Sequence, residues 1–236
     1  MKRFSKFLGR TSGGAIPGIA WVLCWLLSVV GFGSLCLQAG SLEGEVDLPK
    51  SKGNPKVTYF RYQGKKRSAL ASDFRSMAVV YLERQSSASP GTAPERPATM
   101  YQQEFQFNPS ILPIQVGTKV VFPNHDEEYH NVFSYSPAKE FDLGRYLPQE
   151  SPPTVLFDKS GFVEVGCEIH QHMRAYIVIL DTPHFALTDE TGTFRIRDVP
   201  DGEYRLKVWF DTKVIVEKNI EINGDVQTRI QTDSPN

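Results

Sequence analysis

Cysteine is scarce in this chain. There are three cysteines in 236 residues, and two of them, Cys24 and Cys36, lie in an apolar run near the N-terminus. The rest of the chain has one thiol, Cys167, which excludes a disulfide within that part. A lone thiol needs a specific explanation if the chain is exported. A metal ligand and a buried structural thiol are the two alternatives.

The sequence also lacks long amphipathic helical patterns and repeat arrays. It contains 18 glycines and 16 prolines, and 40% of its residues are hydrophobic. Short alternating stretches separated by turn residues are typical of β-strands. The composition therefore predicts an all-β fold. The proline-rich stretch 136–153 predicts an irregular excursion between strands.

Acidic residues are absent from the first 42 positions, which carry Lys2, Arg3, Lys6 and Arg10 followed by an apolar run over 15–37. This pattern predicts that residues 1–39 are a signal peptide or an uncleaved membrane anchor. The folded part would then lie outside the cytoplasm, in the periplasm or cell envelope, with membrane contact only through an uncleaved segment. Of 26 basic and 27 acidic residues, 22 basic and 27 acidic remain beyond residue 39, a net charge of −5. This acidic balance argues against nucleic-acid binding.

The stretch 167–173, CEIHQHM, combines a thiol, imidazoles and a thioether. Alternating strand patterns lead into it over 162–167 and out of it over 175–180. Cys167, His170 and Met173 form a ligand set that favours copper once a second histidine joins them, and His130 is the candidate. Zinc would accept the cysteine and two histidines but has little use for a thioether. Taken singly, His130 would be interpreted as a turn residue and Met173 as a core residue.

The segment from about 100 to 180 resembles the cupredoxins, the blue copper proteins of the plastocyanin and amicyanin kind. Residues 117–122, Asn124 and the run 130–133 are similar to that family's first ligand region. The pattern Cys-x-x-His-x-x-Met-Arg at 167–174 resembles the amicyanin ligand loop. The resemblance implies a Greek-key β-sandwich holding one type 1 copper centre with His130, Cys167, His170 and Met173 as ligands.

The resemblance also suggests roles for neighbours of the ligands. Asn131 would tie the two ligand loops together. Ile169 stands where the family commonly has proline, so its N–H could approach the Cys167 sulfur and raise the reduction potential. We expect His172 to point to solvent, with a docking or second-metal role as the alternative. We expect Asp126, Glu127 and Glu128 to form a solvated loop or part of an acidic docking surface.

A second resemblance covers the two ends of the chain. The runs TDETGTF at 188–194 and PDGEY at 200–204 resemble the carboxypeptidase regulatory-like (transthyretin-like) β-sandwich. Its expected opening strands, at 44–46 and 78–82, precede the copper segment. We therefore predict a cupredoxin domain (99–182) inserted, after a linker (85–98), into a second sandwich formed by 41–84 and 183–236. In the alternative, 41–84 adds strands to the cupredoxin.

These observations predict an exported protein that carries single electrons between protein partners, and a haem or quinoprotein enzyme is the candidate partner. The chain has no Cys-x-x-Cys-His haem motif and lacks the several His-x-His pairs of multicopper oxidases, so we expect no enzyme activity of its own. Copper storage or delivery is one alternative function. A metal-free binding or adhesion module is the other.

Overall fold

The computed structural model describes residues 39–48, 57–62, 65–70, 77–85 and 92–232. These residues form strands and turns without a helix, so the all-β prediction is confirmed. No helix in this part of the chain is long and apolar enough to cross a membrane. Residues 1–38 of the predicted signal or anchor lie outside the described residues. Its last residue, Ala39, is the first residue of a strand.

Nineteen strands follow one another in the described ranges: β1 (Ala39–Asp47), β2 (Val57–Tyr62), β3 (Lys65–Leu70), β4 (Val79–Arg84), β5 (Ala98–Thr99), β6 (Tyr101–Gln103), β7 (Gln106–Asn108), β8 (Ile111–Gln115), β9 (Thr118–Val121), β10 (His130–Ser136), β11 (Lys139–Tyr146), β12 (Thr154–Phe157), β13 (Gly161–Gly166), β14 (Arg174–Leu180), β15 (Phe185–Leu187), β16 (Thr193–Pro200), β17 (Gly202–Phe210), β18 (Lys213–Ile222) and β19 (Val226–Gln231).

The middle of the chain forms a β-sandwich of the kind that the cupredoxin resemblance implies. A five-stranded sheet in the order β11-β10-β13-β14-β8 faces a three-stranded sheet in the order β12-β9-β5, and the hairpin β6-β7 lies beside them. The core between the sheets contains Phe107, Val120, Phe122, Phe157 and Val163. Strands β10 and β13 are neighbours through the pairing of Phe133 with Gly166, and this pairing aligns the two ligand regions.

Two further sheets combine strands from before and after this sandwich. Strand β1 lies between β16 and β19, and β4 lies between β15 and β17 in a sheet that ends with β18. Their core contains Leu42, Leu82, Phe194, Tyr204 and Leu206. This is the pairing that an inserted sandwich requires, although the domain boundaries stay a prediction. Residues 86–91 of the expected linker lie outside the described residues.

Strand β14 explains why the two sandwiches pack tightly against each other. Its Ile177 and Ile179 point into the cupredoxin-like core, whereas Val178 and Leu180 point into a separate apolar cluster with Trp209. Because both faces of the strand are covered, its sequence is a continuous apolar run and does not alternate. The Trp209 ring stacks on Phe162 at 5.6 Å between ring centroids.

The prediction of an irregular excursion over 136–153 was wrong in its centre. Residues 139–146 are proline-free and form β11, an edge strand paired with β10. The prolines flank this strand at 137, 148, 152 and 153, where they limit its length without interrupting it. Gly144, at φ 68°, accommodates the local irregularity.

Candidate metal centre

The loop 167–173 connects β13 to β14 and is closed by its own backbone. The N–H of Cys167 donates to the carbonyl of Met173 at 3.3 Å, and the N–H of Met173 donates to the carbonyl of His170 at 2.8 Å. Three of the four predicted ligands therefore sit in one hydrogen-bonded turn between two paired strands. Such a support restricts side-chain movement more than a free loop would.

His130 reaches the same point from the start of β10. Its Nδ1 lies 3.0 Å from Nδ1 of His170, and Sγ of Cys167 lies 3.9 Å from the same His170 atom. The three donor atoms lie within 4.8 Å of one another. His130, Cys167 and His170 are 0%, 3% and 7% exposed. The structure thus brings together three of the residues that the sequence singled out.

The donor atoms are spaced as a shared metal ion requires. Protein metal–nitrogen bonds of about 2.0–2.1 Å and metal–sulfur bonds of about 2.3 Å, as in zinc sites, place nitrogens roughly 3–4 Å from each other and from sulfur. The observed separations of 3.0 and 3.9 Å fall in this range. A thiolate with two imidazoles, one of them preceding a methionine in the same loop, is a copper-type ligand set. The residues fit the metal.

Met173 is 1% exposed and belongs to the same core cluster as Cys167. Its backbone is fixed by the two hydrogen bonds that close the loop. The side chain is therefore held inside the ligand end of the sandwich. Its role as a weak axial ligand stays a prediction.

Burial and hydrogen bonding act in opposite directions on the protonation of the centre. Burial alone would raise the pKa of the Cys167 thiol, but hydrogen bonds from His130 and His170 outweigh it and lower the pKa to about 6. Burial alone would lower the pKa of His130, but its hydrogen bonds to Asp126 and Cys167 raise the pKa to about 9. The metal-free site therefore favours a thiolate, which is the form that binds metal.

Asn131 makes the contact that its predicted role requires. Its Oδ1 accepts a hydrogen bond from the N–H of Glu168 at 2.7 Å, which joins the start of β10 to the loop after β13. The backbone N–H groups of Asn131 and His170 help to lower the pKa of Cys167. Ile169, expected to add a donor, is not one of these two residues, and its side chain is 37% exposed. Its effect on the potential stays a prediction.

Sequence reasoning misplaced Asp126. Its side chain is 10% exposed, and its Oδ2 accepts a hydrogen bond from Nε2 of His130 at 2.8 Å. It is therefore neither solvated nor part of a docking surface. Its residue type does not distinguish it from Glu127 and Glu128. The one available sequence signal was its spacing, because Asp126 lies four residues before the candidate ligand His130.

Phe105 was missed altogether. It is 2% exposed, and its ring meets those of His130 and His170 edge-on, with centroids 5.5 and 4.9 Å away. An isolated aromatic residue in a predicted strand indicates only a core position. No sequence signal placed it against the ligands.

The expectation that His172 points to solvent was wrong. Its ring is half-buried, with Nε2 shielded from solvent, and its centroid lies 6.2 Å from that of His170. Burial lowers the pKa of His172, and a hydrogen bond to the backbone of Phe105 opposes this shift. His125 stacks on Tyr101, and His184 packs against Tyr204, so neither reaches the centre.

No family model matches the chain, and no curated protein matches it. Similar solved structures include the copper-containing nitrite reductase NirK from Thermus scotoductus SA-01, with 26% identity and a TM-score of 0.35 over 41% of this chain and 25% of that chain. Amicyanin from Paracoccus versutus shows 14% identity and a TM-score of 0.33, over 43% of this chain and 97% of that chain. A reduced amicyanin variant shows 15% identity and a TM-score of 0.34, over 43% and 98%. Similarity this weak does not establish a shared activity. The evidence for copper is the geometry of the donor atoms.

Proposed function

We propose that this chain is an exported type 1 (blue) copper protein that carries single electrons between protein partners in the cell envelope. The observation that supports the proposal best is the convergence of His130, Cys167 and His170 at one buried point. Met173, buried in the same loop, would complete the ligand set. The metal would be held by residues from two neighbouring strands and one closed turn.

Copper, when bound, supplies a one-electron redox couple to this site. The chain's own contribution is to hold two nitrogens and one sulfur close together on a rigid support, so that little rearrangement accompanies a change of charge. Burial limits the access of water to the donor atoms. Asp126 fixes the His130 ring through Nε2 and leaves Nδ1 facing His170.

We further propose that the copper-binding sandwich spans 99–182 and is inserted between 41–84 and 183–236, behind a signal peptide or anchor over 1–39. The pairing of β1 with β16 and β19, and of β4 with β15 and β17, supports the insertion. The partner would be a redox protein, such as a haem or quinoprotein enzyme, because the chain has no haem motif of its own.

One measurement tests this function. The purified protein is loaded with copper(II), and we expect an intense blue thiolate-to-copper absorption together with reversible one-electron voltammetry. A colourless protein that binds copper(I) tightly would favour storage or delivery. Failure to take up copper would favour a metal-free binding module.

A further inference from the structure

The hairpin β6-β7 ends in an unusual turn. Its two connecting residues, Glu104 and Phe105, have φ angles of 55° and 63°. Two consecutive residues at positive φ form the two-residue hairpin turn that normally uses Asn-Gly or Gly-Gly. Residues other than glycine, asparagine and aspartate rarely adopt this backbone conformation. The surrounding structure must therefore hold the turn in place.

Asp126 holds this turn from the neighbouring loop. Its Oδ1 accepts a hydrogen bond from the N–H of Glu104 at 2.7 Å, and its Oδ2 accepts one from the N–H of Phe105 at 2.9 Å. The loop is itself fixed to the hairpin, because the N–H of His125 donates to the carbonyl of Gln102 at 2.8 Å. A hydrogen bond between His172 and the backbone of Phe105 adds a contact from the ligand loop.

The turn carries the Phe105 side chain onto the imidazole pair. The ring lies at 90° to that of His130 and at 86° to that of His170, and it is almost fully buried. An aromatic edge against both imidazoles occupies space that water or a small anion would otherwise enter. The conformation of the turn and the closure of this side of the centre are therefore linked.

Oδ2 of Asp126 makes two of these contacts at once. The same oxygen lies 2.9 Å from the N–H of Phe105 and 2.8 Å from Nε2 of His130. We propose that Asp126 is a positioning residue that locks the Glu104–Phe105 turn and the His130 ring together, so that Phe105 closes the imidazole side of the centre to small molecules. The closure of the centre by Phe105 rests on the proposed function. The lock, meaning the hold of Asp126 on the turn and on the His130 ring, does not.

The lock is tested first in the metal-free protein, by the hydrogen exchange of individual amides. Asp126→Asn replaces one accepting oxygen with an NH2 group, which faces an N–H in either orientation of the amide. Because a hydrogen bond to a charged acceptor is lost, we expect the Glu104 or Phe105 amide to exchange about tenfold faster. The exposed Glu127→Gln on the same loop is the matched control and should change neither rate. Wild-type exchange rates at both amides in Asp126→Asn would overturn the proposal.

The closure is tested by titrating the copper(II) protein with azide and following its absorption spectrum. A groove of about 710 Å³, lined by Cys167 and Met173 but not by Phe105 or Asp126, gives a second approach to the ligand loop, so affinities are compared between variants. We expect Phe105→Ala to bind azide about tenfold more tightly than the wild type, and Asp126→Asn to shift the same way. Phe105→Leu keeps most of the apolar volume, so its azide affinity should fall between those of the wild type and Phe105→Ala.

The two measurements separate the possible failures. Equal azide affinity in the wild type and in a correctly folded Phe105→Ala protein, judged by near-ultraviolet circular dichroism, would overturn the closure. A protein that takes up no copper would contradict the proposed function, while the amide exchange would still decide whether Asp126 holds the turn.

Discussion

The two sandwiches of this chain both consist of two main sheets around an apolar core, but they differ in the polar groups that they bury. In the sandwich of β1, β4 and β15–β19, the buried polar side chains include Ser41 and Thr188, small hydroxyls with simple hydrogen bonds to Asp225 and to the N–H of Ala78. The sandwich of β5–β14 buries larger polar groups, among them Gln102, Asn124, His130, Asn131 and His170.

Burying polar and titratable groups costs free energy unless every group finds a partner. The second sandwich shows that a core of similar strands folds with few of them. The buried polar groups of the first sandwich are therefore better explained by binding than by stability, and the shifted pKa values of Cys167 and His130 point the same way. Four variants test this difference between the two sandwiches.

The largest effect is expected for Cys167→Ser. The hydroxyl is a hard, weakly acidic donor in place of a thiolate, so the blue absorption should disappear completely from the copper-treated protein. Absorption and electron paramagnetic resonance spectra measure this loss. His184→Gln, in the second sandwich, is the control and should keep the full colour. A blue Cys167→Ser protein would contradict the proposed ligand role of Cys167.

Trp209→Ala tests whether the two sandwiches depend on each other. The buried ring packs on Phe162 and Tyr176 between them, and its removal should lower the free energy of unfolding by about 3–5 kcal/mol. Calorimetry should show the melting transition shifted down or split in two. Leu156→Ala, a change at an exposed position, should leave the melt near that of the wild type. An unshifted transition in Trp209→Ala would show that the sandwiches do not support each other.

Gly192→Ala should damage the second sandwich alone. Gly192 has a φ of 89°, and a Cβ atom there would lie 2.2 Å from the carbonyl oxygen of Val46. We expect a destabilisation of about 1–3 kcal/mol in denaturant titrations. The copper spectrum at low temperature should be unchanged, and an altered spectrum would mean that the metal end depends on this distant turn.

The smallest effect is expected for Ile169→Pro. Proline removes one N–H from the ligand loop, and fewer donors near a thiolate lower the reduction potential. Voltammetry of the variant beside the wild type should show a modest decrease. A potential that is unchanged or higher would count against a role for the Ile169 amide.

The sequence predicted those parts of the centre that depend on residue type and strand order. Cys167, His170 and Met173 lie within seven residues, so one turn brings them close, and the strand that begins at His130 needs only to be a neighbour of β13. The all-β architecture followed from alternation and turn residues in the same way. These are local signals, and a single sequence contains them.

The parts that sequence reasoning missed depend on contacts between distant segments. The sequence alone indicates a solvated Asp126, whereas in the structure Asp126 accepts a hydrogen bond from the N–H of Glu104. Phe105 and His172 are ordinary residues whose burial depends on how a hairpin lies against a loop. Strand β11 was missed because nearby prolines outweighed a short proline-free stretch that pairs with β10.

The position of β1 has a consequence for how the molecule is made. Leu42 pairs with Ile196 on one side and with Val226 on the other, both of which leave the ribosome long after it. The intervening sandwich can acquire all its strands first, while the backbone edges of β1 and the apolar start of β4 stay unpaired. The order of the strands along the chain therefore leaves β1 and β4 exposed to pairing with other chains until translation delivers the closing strands.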